Sequence, residues 1–139
     1  MPQTSRDLMT THPVSLDAQT LLVDAARQMA DNGIGDVLVC DGDHLRGIVT
    51  DRDIVVRAVA EGRDLNSVTL GDVCTSDLVT LAPSDSVDAA IRLMGDHAIR
   101  RIPVVEGDRP VGIVAIGDLA IDLEPGSALG EISAAAPDQ

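Results

Sequence analysis

The chain has 139 residues and a hydrophobic content of 45%, which is enough for a folded domain with its own core and argues against global disorder. Its formal net charge of −13 would repel a phosphate backbone, and the absence of Phe, Tyr and Trp removes the stacking surface that single-strand binders use, so nucleic-acid binding is not expected. No apolar stretch is long enough to span a bilayer and no apolar signal segment follows Met1, so we expect a cytoplasmic protein that does not contact a membrane.

The first elements predicted along the chain are a short extended segment and a long helix. Residues 1–6 carry no clear pattern and predict a loose start, and residues 14–16 predict the extended segment. The helix follows because apolar residues recur there at helical spacing, at Leu22, Ala25, Ala26 and Met29. Thr20 suits its N-cap and Gly33 suits its end.

A β-hairpin and a second helix come next. Residues 37–40 and 47–50 read as two strands, and the turn-forming residues 41–44 connect them. A helical pattern begins directly after Thr50, and its predicted apolar face consists of Ile54, Val55, Ala58 and Val59.

The whole series then returns 65 positions further along, so that Gly47-Ile48-Val49 recurs as Gly112-Ile113-Val114. The second long helix carries Val87, Ala90, Ile91 and Met94 as its stripe, with Ser86 or Asp85 as its N-cap. The second hairpin has strands over 102–105 and 112–115, and Pro103 should lie at a strand start or edge because it cannot donate to a ladder. The last helix is predicted over 119–123, stopped by Pro125 and Gly126.

The repeat defines the predicted fold. Residues 7–55 align with 72–120 without a gap, and about a third of the aligned positions are identical. Each repeat reads strand–helix–strand–strand–helix, which predicts an α/β fold of two repeats packed about a pseudo-twofold axis. We expect the first repeat to span 7–61 and the second 72–123, with a linker over 62–71 and a mobile tail over 124–139.

The repeated phrase resembles a known family. Gly47, Thr50 and Asp53 follow a hairpin, and the corresponding hairpin in the second copy begins with Arg-Arg-Ile-Pro-Val-Val at 100–105. This combination resembles the CBS domain, and the two copies resemble a tandem CBS pair, or Bateman module, of the stand-alone bacterial kind that includes hypoxic-response proteins. The resemblance implies a regulatory sensor that binds an adenine nucleotide (AMP, ADP or ATP) between the repeats and pairs into a homodimer through helix faces.

The resemblance also implies a main ligand site. Asp53 would hold the ribose hydroxyls, Thr50 the ribose–phosphate junction, and Arg52 would assist. A helix starting near Asp51 would aim free N–H groups at an anion. The second repeat would supply aliphatic neighbours for the adenine and basic residues for the phosphate, namely Leu78, Val79, Arg100, Arg101, Ile102 and Pro103.

The corresponding second site departs from the family pattern. It would consist of Pro13, Val14, Gly35, Asp36, Val37 and Leu38 together with Ala115 and Asp118. Ala115 has no hydroxyl, and Asp36 occupies the position that Arg101 has in the other copy. Loss of one charge-assisted hydrogen bond costs roughly 1.5–3 kcal/mol, so we expect this site to bind a nucleotide about ten- to a hundredfold more weakly. Asp118 would then serve only at a helix N-terminus.

Other interpretations of these residues remain open from the sequence. Thr50 and Asp53 also suit a helix cap that binds no ligand, and Arg100 and Arg101 also suit a solvated or ion-paired surface. The alternative function is therefore a stress-related structural or protein-interaction module that uses no small molecule. The sequence does not distinguish the nucleotides from NAD or S-adenosylmethionine, and it leaves the protein effector unknown.

No enzyme, metal site or required cofactor is expected. The sequence shows no nucleophile–base pattern and no metal-ligand spacing, and His12, His44 and His97 align with other residue types in the opposite copy. Cys40 and Cys74 align with Val105 and Met9, which predicts that both cysteines belong to the core.

Overall fold

The structure, a computed structural model, describes residues 3–75 and 78–123 and divides them into two compact units. The first-repeat unit contains residues 14–75 and 78, and the second-repeat unit contains residues 3–13 and 79–123. The opening segment of each repeat therefore belongs to the unit built mainly from the other repeat. The predicted tail, with Pro125 and Gly126, lies outside the described residues.

The helices and strands follow the predicted order, with short elements added where each repeat begins. In chain order they are α1 (Ser5–Leu8), β1 (Thr10–Thr11), β2 (Ser15–Asp17), α2 (Leu22–Asn32), β3 (Asp36–Asp41), β4 (His44–Thr50), α3 (Asp51–Ile54) continued by a π-helical segment (Val55–Val59), α4 (Leu70–Val73), α5 (Val87–His97), β5 (Arg101–Glu106), β6 (Arg109–Ala115) and α6 (Ile116–Leu123). None of the helices among the described residues is long and apolar enough to cross a membrane.

Each unit has one small mixed sheet. In the first-repeat unit the order is β2-β3-β4, with β2 parallel and β4 antiparallel to β3. In the second-repeat unit the order is β1-β6-β5, and Leu81 adds a parallel bridge to Val104. Pro103 is the third residue of β5, the last named strand in that order, and its carbonyl accepts the Leu81 N–H at 2.9 Å. The expected edge position therefore holds for the named strands, but the Leu81 segment covers this side of β5.

The two long helices confirm the predicted stripes with local corrections. Leu22, Ala25 and Met29 of α2 are buried, and Gly33 ends the helix at a φ of 62°. The predicted N-cap Thr20 is wrong, because Leu21 holds the cap position without a side-chain hydrogen bond. Ser86 does cap α5 by accepting the Ala89 N–H at 3.1 Å. Ile91 was predicted to be buried, but it is 41% exposed.

The helix after β4 differs from its prediction. Ile54 and Ala58 are buried as expected, but Val55 and Val59 are 57% and 54% exposed. The backbone between them is π-helical, since the Ala60 N–H donates to the Val55 carbonyl at 2.8 Å. The wider turn rotates later residues away from the 3.6-residue period on which the prediction depended.

Within the start that was predicted to be loose, residues 1–6, the described residues 3–6 are ordered. Thr4 forms a capping box with Asp7 at the start of α1, and Ser5 is only 1% exposed. The Ser5 N–H donates to the Asp85 carbonyl at 2.8 Å, which fixes α1 onto the second-repeat unit. The expectation failed because the sequence signal of a four-residue helix is only its cap.

Two glycines allow the opening segments to approach these sheets closely. A Cβ at Gly47 would lie 2.5 Å from the Thr75 carbonyl oxygen, and a Cβ at Gly112 would lie 2.9 Å from that of Thr10. Thr75 bridges Ile48, and Thr10 pairs with Ile113, so the contact is the same in both units. A residue with a Cβ fits at neither position unless the backbones separate.

We predict that Gly47→Ala lowers the free energy of unfolding by roughly 1–3 kcal/mol, because its methyl group would overpack against the Thr75 backbone. Gly95→Ala is the matched control: Gly95 lies in α5 with nothing within 4 Å of its Cβ position, so that change should stabilise by about 0.5–1 kcal/mol. Urea unfolding followed by far-ultraviolet circular dichroism measures both, and equal effects of the two variants would contradict the prediction.

Candidate functional site

The junction of β4 and α3 holds the predicted hydroxyl and carboxylate together. Asp53 Oδ2 accepts the Thr50 N–H at 2.9 Å and the Thr50 hydroxyl at 3.1 Å, and the Asp53 N–H donates to Thr50 Oγ1 at 3.2 Å. The Asp53 side chain is 19% exposed. The other oxygen, Oδ1, lies 3.8 Å from Arg57 Nε, which is beyond hydrogen-bond length, so it retains capacity to accept from a ligand hydroxyl.

The same junction does not provide the free N–H groups that were expected. The Asp51 N–H donates to the Gly35 carbonyl at 2.9 Å, and the Arg52 N–H donates to Asp51 Oδ1 at 2.8 Å. The Asp53 N–H is taken by Thr50, as described above. An anion at this junction would therefore have to be held by side chains, and the exposed Arg52 is the one the sequence placed here.

The hydroxyl–carboxylate pair is not unique to this junction. Thr4 with Asp7 and Thr69 with Asp72 form the same capping box at the starts of α1 and α4. The Asp72 pKa is lowered, mainly by the Thr69 backbone N–H, as is usual for an exposed capping carboxylate. The Thr-x-x-Asp spacing by itself therefore indicates a helix start, and the Thr50 junction differs from the other two in the partial burial of its hydrogen bonds.

The equivalent junction in the second-repeat unit has an opposite charge pattern. Arg101 pairs in register with Ala115, and the Ile116 N–H donates to the Arg100 carbonyl at 2.8 Å. Asp118 Oδ2 accepts the Ala115 N–H at 2.9 Å, so it has the predicted place at a helix N-terminus. Two arginines thus accompany one carboxylate here.

In the first-repeat unit the corresponding partner of Thr50 is an acid. Asp36 pairs with Thr50 in register, and a Cβ at Gly35 would lie 3.2 Å from Asp51 Oδ2. Each unit therefore brings together two residues that the resemblance had assigned to different ligand sites. The role of these residues in binding stays a prediction.

The aliphatic residues predicted beside the adenine are mostly buried. Val37 and Ile102 belong to the hydrophobic cores of their units, at 1% and 0% exposure. Leu38 and Pro103 are also less than 2% exposed. The remaining members are partly buried, namely Pro13, Val14, Leu78 and Val79.

Arg57 is a residue of this site that the sequence analysis did not single out. Its Nε lies 3.8 Å from Asp53 Oδ1, and its Nη1 donates to the Val73 carbonyl at 3.2 Å. The signal that was available is the i, i+4 spacing of an acid and an arginine on a helix, which places the two side chains on one face.

The cysteines and acidic residues form no metal site within residues 3–75 and 78–123, where no group of three or more suitable ligands lies together. Cys40 is buried as predicted, and Cys74 is half-buried. Burial raises the pKa of both thiols, which keeps them protonated and unreactive near neutral pH.

Comparison with known proteins identifies the family. The CBS domain matches the chain twice, over residues 6–59 and 70–124, so this chain belongs to the CBS domain family and carries a tandem pair. Tandem CBS modules are generally regulatory and ligand-binding, which confirms the coarse functional prediction.

Individual relatives agree with this assignment. The CBS domain-containing protein YhcV of Bacillus subtilis is 38% identical over 132 residues, covering 92% of this chain and 94% of that protein. The crystal structure of Hypoxic Response Protein I with two coordinated zinc ions has a TM-score of 0.80 and 34% identity, covering 87% of this chain and 99% of that one. A hexameric CBS-CP12 protein from bloom-forming cyanobacteria has a TM-score of 0.78 at 26% identity, covering 90% and 74%. The predicted likeness to stand-alone and hypoxic-response CBS proteins is confirmed.

The half-buried Asp118 generates a pH prediction. Burial raises the pKa of its carboxyl above the ordinary value of 3.8, against the opposing hydrogen bond from Ala115. At a pH between the pKa of the unfolded chain and the higher pKa of the folded chain, the folded chain holds a proton that the unfolded chain has released. The carboxyl of Asp118 therefore makes the free energy of unfolding fall as the pH rises. Asp118→Asn should therefore gain stability relative to the unsubstituted chain as the pH rises from about 3.8 through this window. Urea unfolding at several pH values tests this, and a pH-independent difference would contradict it.

Proposed function

We propose that the protein is a regulatory module that binds an adenine nucleotide (AMP, ADP or ATP) at the Thr50–Asp53 junction. The observation that carries the proposal is the partly buried Asp53, whose Oδ2 is fixed by Thr50 while Oδ1 can still accept from a ribose hydroxyl. Membership of a generally ligand-binding family supports it. Adenine nucleotides are cytoplasmic metabolites, so the proposal includes a cytoplasmic location.

The phosphate end of the ligand requires positive charge, and the two units differ in this respect. The Thr50 junction has three acids, Asp36, Asp51 and Asp53, near Arg52 and Arg57. The junction of β6 and α6 has Arg100 and Arg101 with Asp118 as its acid. Ribose recognition is therefore assigned to Asp53 of the first repeat. Arg100 and Arg101 are the residues whose charge suits a phosphate, since a guanidinium pairs bidentately with phosphate.

The competing function is the interaction module that uses no ligand. It is favoured by the completeness of the Thr50–Asp53 capping box, which satisfies the helix start without any other group. The two functions differ in one consequence: a nucleotide that binds only the folded state must raise the melting temperature, whereas an unused cap gives no response.

We predict that Asp53→Ala weakens nucleotide binding at least tenfold, because the ribose hydroxyls lose a charged acceptor whose hydrogen bond contributes roughly 1.5–3 kcal/mol. The measurement is isothermal titration with AMP, ADP and ATP. The loss of a helix cap also destabilises the fold by about 1 kcal/mol, so the temperature of the titration must stay well below the melting point of the variant.

Asp118→Ala is the matched control, because Asp118 accepts a backbone N–H at the same place in the other repeat. It should change the nucleotide affinity less than threefold, which corresponds to less than half of the free energy of one such hydrogen bond. If Asp118→Ala abolishes binding and Asp53→Ala does not, the ribose site belongs to the second repeat and our assignment is wrong. If the unsubstituted chain binds none of the three nucleotides, the interaction module replaces the proposal.

We further propose that the protein forms a homodimer. Val55, Val56 and Val59, here called the valine face, are 57%, 46% and 54% exposed on one helical segment. Contiguous apolar residues on a surface are typical of a protein interface. A second copy presents the same apolar surface, so the face is self-complementary about a twofold axis. The hexameric state of the cyanobacterial relative shows that proteins of this family do assemble.

Val56→Arg tests the homodimer, since a charge at the centre of a self-complementary face meets its own copy. Analytical ultracentrifugation should show a dimer for the unsubstituted chain and a dissociation constant at least tenfold weaker for the variant, because like charges across an interface cost several kcal/mol. Asn66→Arg, an exposed position outside the valine face, is the control and should remain dimeric. A monomer before substitution would refute the proposal.

A further inference from the structure

Arg57 joins the candidate ligand carboxylate to another segment of the first-repeat unit. Its guanidinium has Nε 3.8 Å from Asp53 Oδ1 and donates from Nη1 to the Val73 carbonyl at 3.2 Å. Val73 is the last residue of α4. One planar group therefore contacts the proposed ligand site at one side and the end of a helix at the other.

The segment that Arg57 contacts is the one that leaves this unit. After α4, the Cys74 N–H donates to the Leu70 carbonyl at 2.9 Å, and the Thr75 N–H donates to the Ile48 carbonyl at 3.3 Å. From residue 79 onward the chain belongs to the second-repeat unit. Residues 70 and 71 are held separately, since the Leu70 N–H donates to the Thr20 carbonyl and the Gly71 N–H donates to the Ala18 carbonyl, both at 2.9 Å. Arg57 and the single bridge to β4 therefore act on the end of the segment, at residues 73–75.

The local backbone favours such a contact. Arg57 lies in the π-helical segment, where the wider turn changes the direction of successive side chains. Its side chain is 48% exposed and that of Asp53 is 19% exposed, so solvent partly screens their attraction and a change at either group can alter it. A partner that alters the charge at Asp53 can therefore alter the hold of Arg57 on Val73.

The two repeats differ at this position. The residue 65 positions after Arg57 is Asp122, so the second repeat carries an acid where the first carries the arginine. The arginine thus occurs in the repeat whose junction has the Thr50 hydroxyl. The occurrence of Arg57 and the Thr50 hydroxyl in the same repeat is expected if both residues serve the same ligand.

We propose that Arg57 is a positioning residue that transmits the occupancy of Asp53 to residues 70–75. A ligand hydroxyl that donates to Asp53 Oδ1 holds that carboxylate in place, and Arg57 then holds the Val73 carbonyl more tightly. By linkage, whatever fixes residues 70–75 also strengthens ligand binding at Asp53. The proposal rests on the proposed function for its ligand, but the Asp53–Arg57–Val73 contact also has a consequence without one.

The ligand-free test is a double-mutant cycle of Asp53→Asn and Arg57→Met in the full chain, read by amide hydrogen exchange of Cys74 and Thr75. Each single variant should speed exchange of these amides roughly three- to tenfold, and the double variant should be no faster than Arg57→Met. The Leu38 amide, which donates to Val14 in the same unit, is the internal reference for global loss of stability. Additive effects, or no effect of Asp53→Asn, would overturn the proposal.

The matched control pair is Asp24→Asn with Arg27→Met. These residues form an ion pair at 3.5 Å within α2, and both side chains are exposed. Their substitution should leave the Cys74 and Thr75 amides unchanged. A response as large as that of Arg57→Met would show that any lost surface pair loosens the segment.

The ligand arm uses ATP. It should slow exchange of the Cys74 and Thr75 amides in the unsubstituted chain, and in Arg57→Met it should still bind, roughly three- to tenfold more weakly, without slowing them. Arg57→Lys should restore affinity through its charge but not the slowing of exchange, since a compact ammonium cannot hold both partners in the fork geometry.

If ATP does not bind the unsubstituted chain, the proposed function fails while the double-mutant cycle still decides the role of Arg57. If Arg57→Met slows exchange with ATP as the unsubstituted chain does, the role is refuted.

Discussion

The close approach of two backbones at Gly47 and at Gly112 is the constraint on which this architecture depends. At each glycine the opening segment of one repeat lies against the returning strand of the other repeat's hairpin, and no Cβ fits between them. The exchange of opening segments follows from this contact, so neither repeat completes its unit alone. The ion pairs near these contacts differ between the units, since Arg6 pairs with Glu106 in one and Arg46 pairs with Asp41 in the other. The architecture therefore does not depend on a particular ion pair.

Within these units, the strand–helix junctions are the places where the two repeats differ chemically. A Thr-x-x-Asp box starts α1, α3 and α4 alike, so the spacing is first a device for starting short helices. Function enters through what surrounds each box. At Thr50 the carboxylate is partly buried and bordered by arginines, whereas at Ala115 the hydroxyl is missing and burial raises the pKa of Asp118. One repeated sequence has thus diverged into an acidic and a basic junction.

The repeat, the long elements and the family could be predicted because they depend on periodicity and turn chemistry that the sequence displays over many residues. Predictions of short-range features were wrong where a single local hydrogen bond decides the outcome. Leu21 rather than Thr20 is the N-cap of α2, and the first N–H groups of α3 already donate to protein oxygens. The π-helical turn was invisible because no residue type specifies it, and with it the exposure of Val55 and Val59. Arg57 was missed because its partner, the Val73 carbonyl, is a backbone atom distant in sequence.

The most direct test of the central claim is equilibrium dialysis of the unsubstituted protein against each of AMP, ADP and ATP. With no Trp or Tyr, the protein contributes almost nothing to the absorbance band of adenine, so excess nucleotide on the protein side can be read directly. The account predicts a saturable excess of at least one nucleotide that disappears in Asp53→Ala. Equal absorbance on both sides for all three nucleotides would contradict it and would leave the Thr50–Asp53 pair as a helix cap alone.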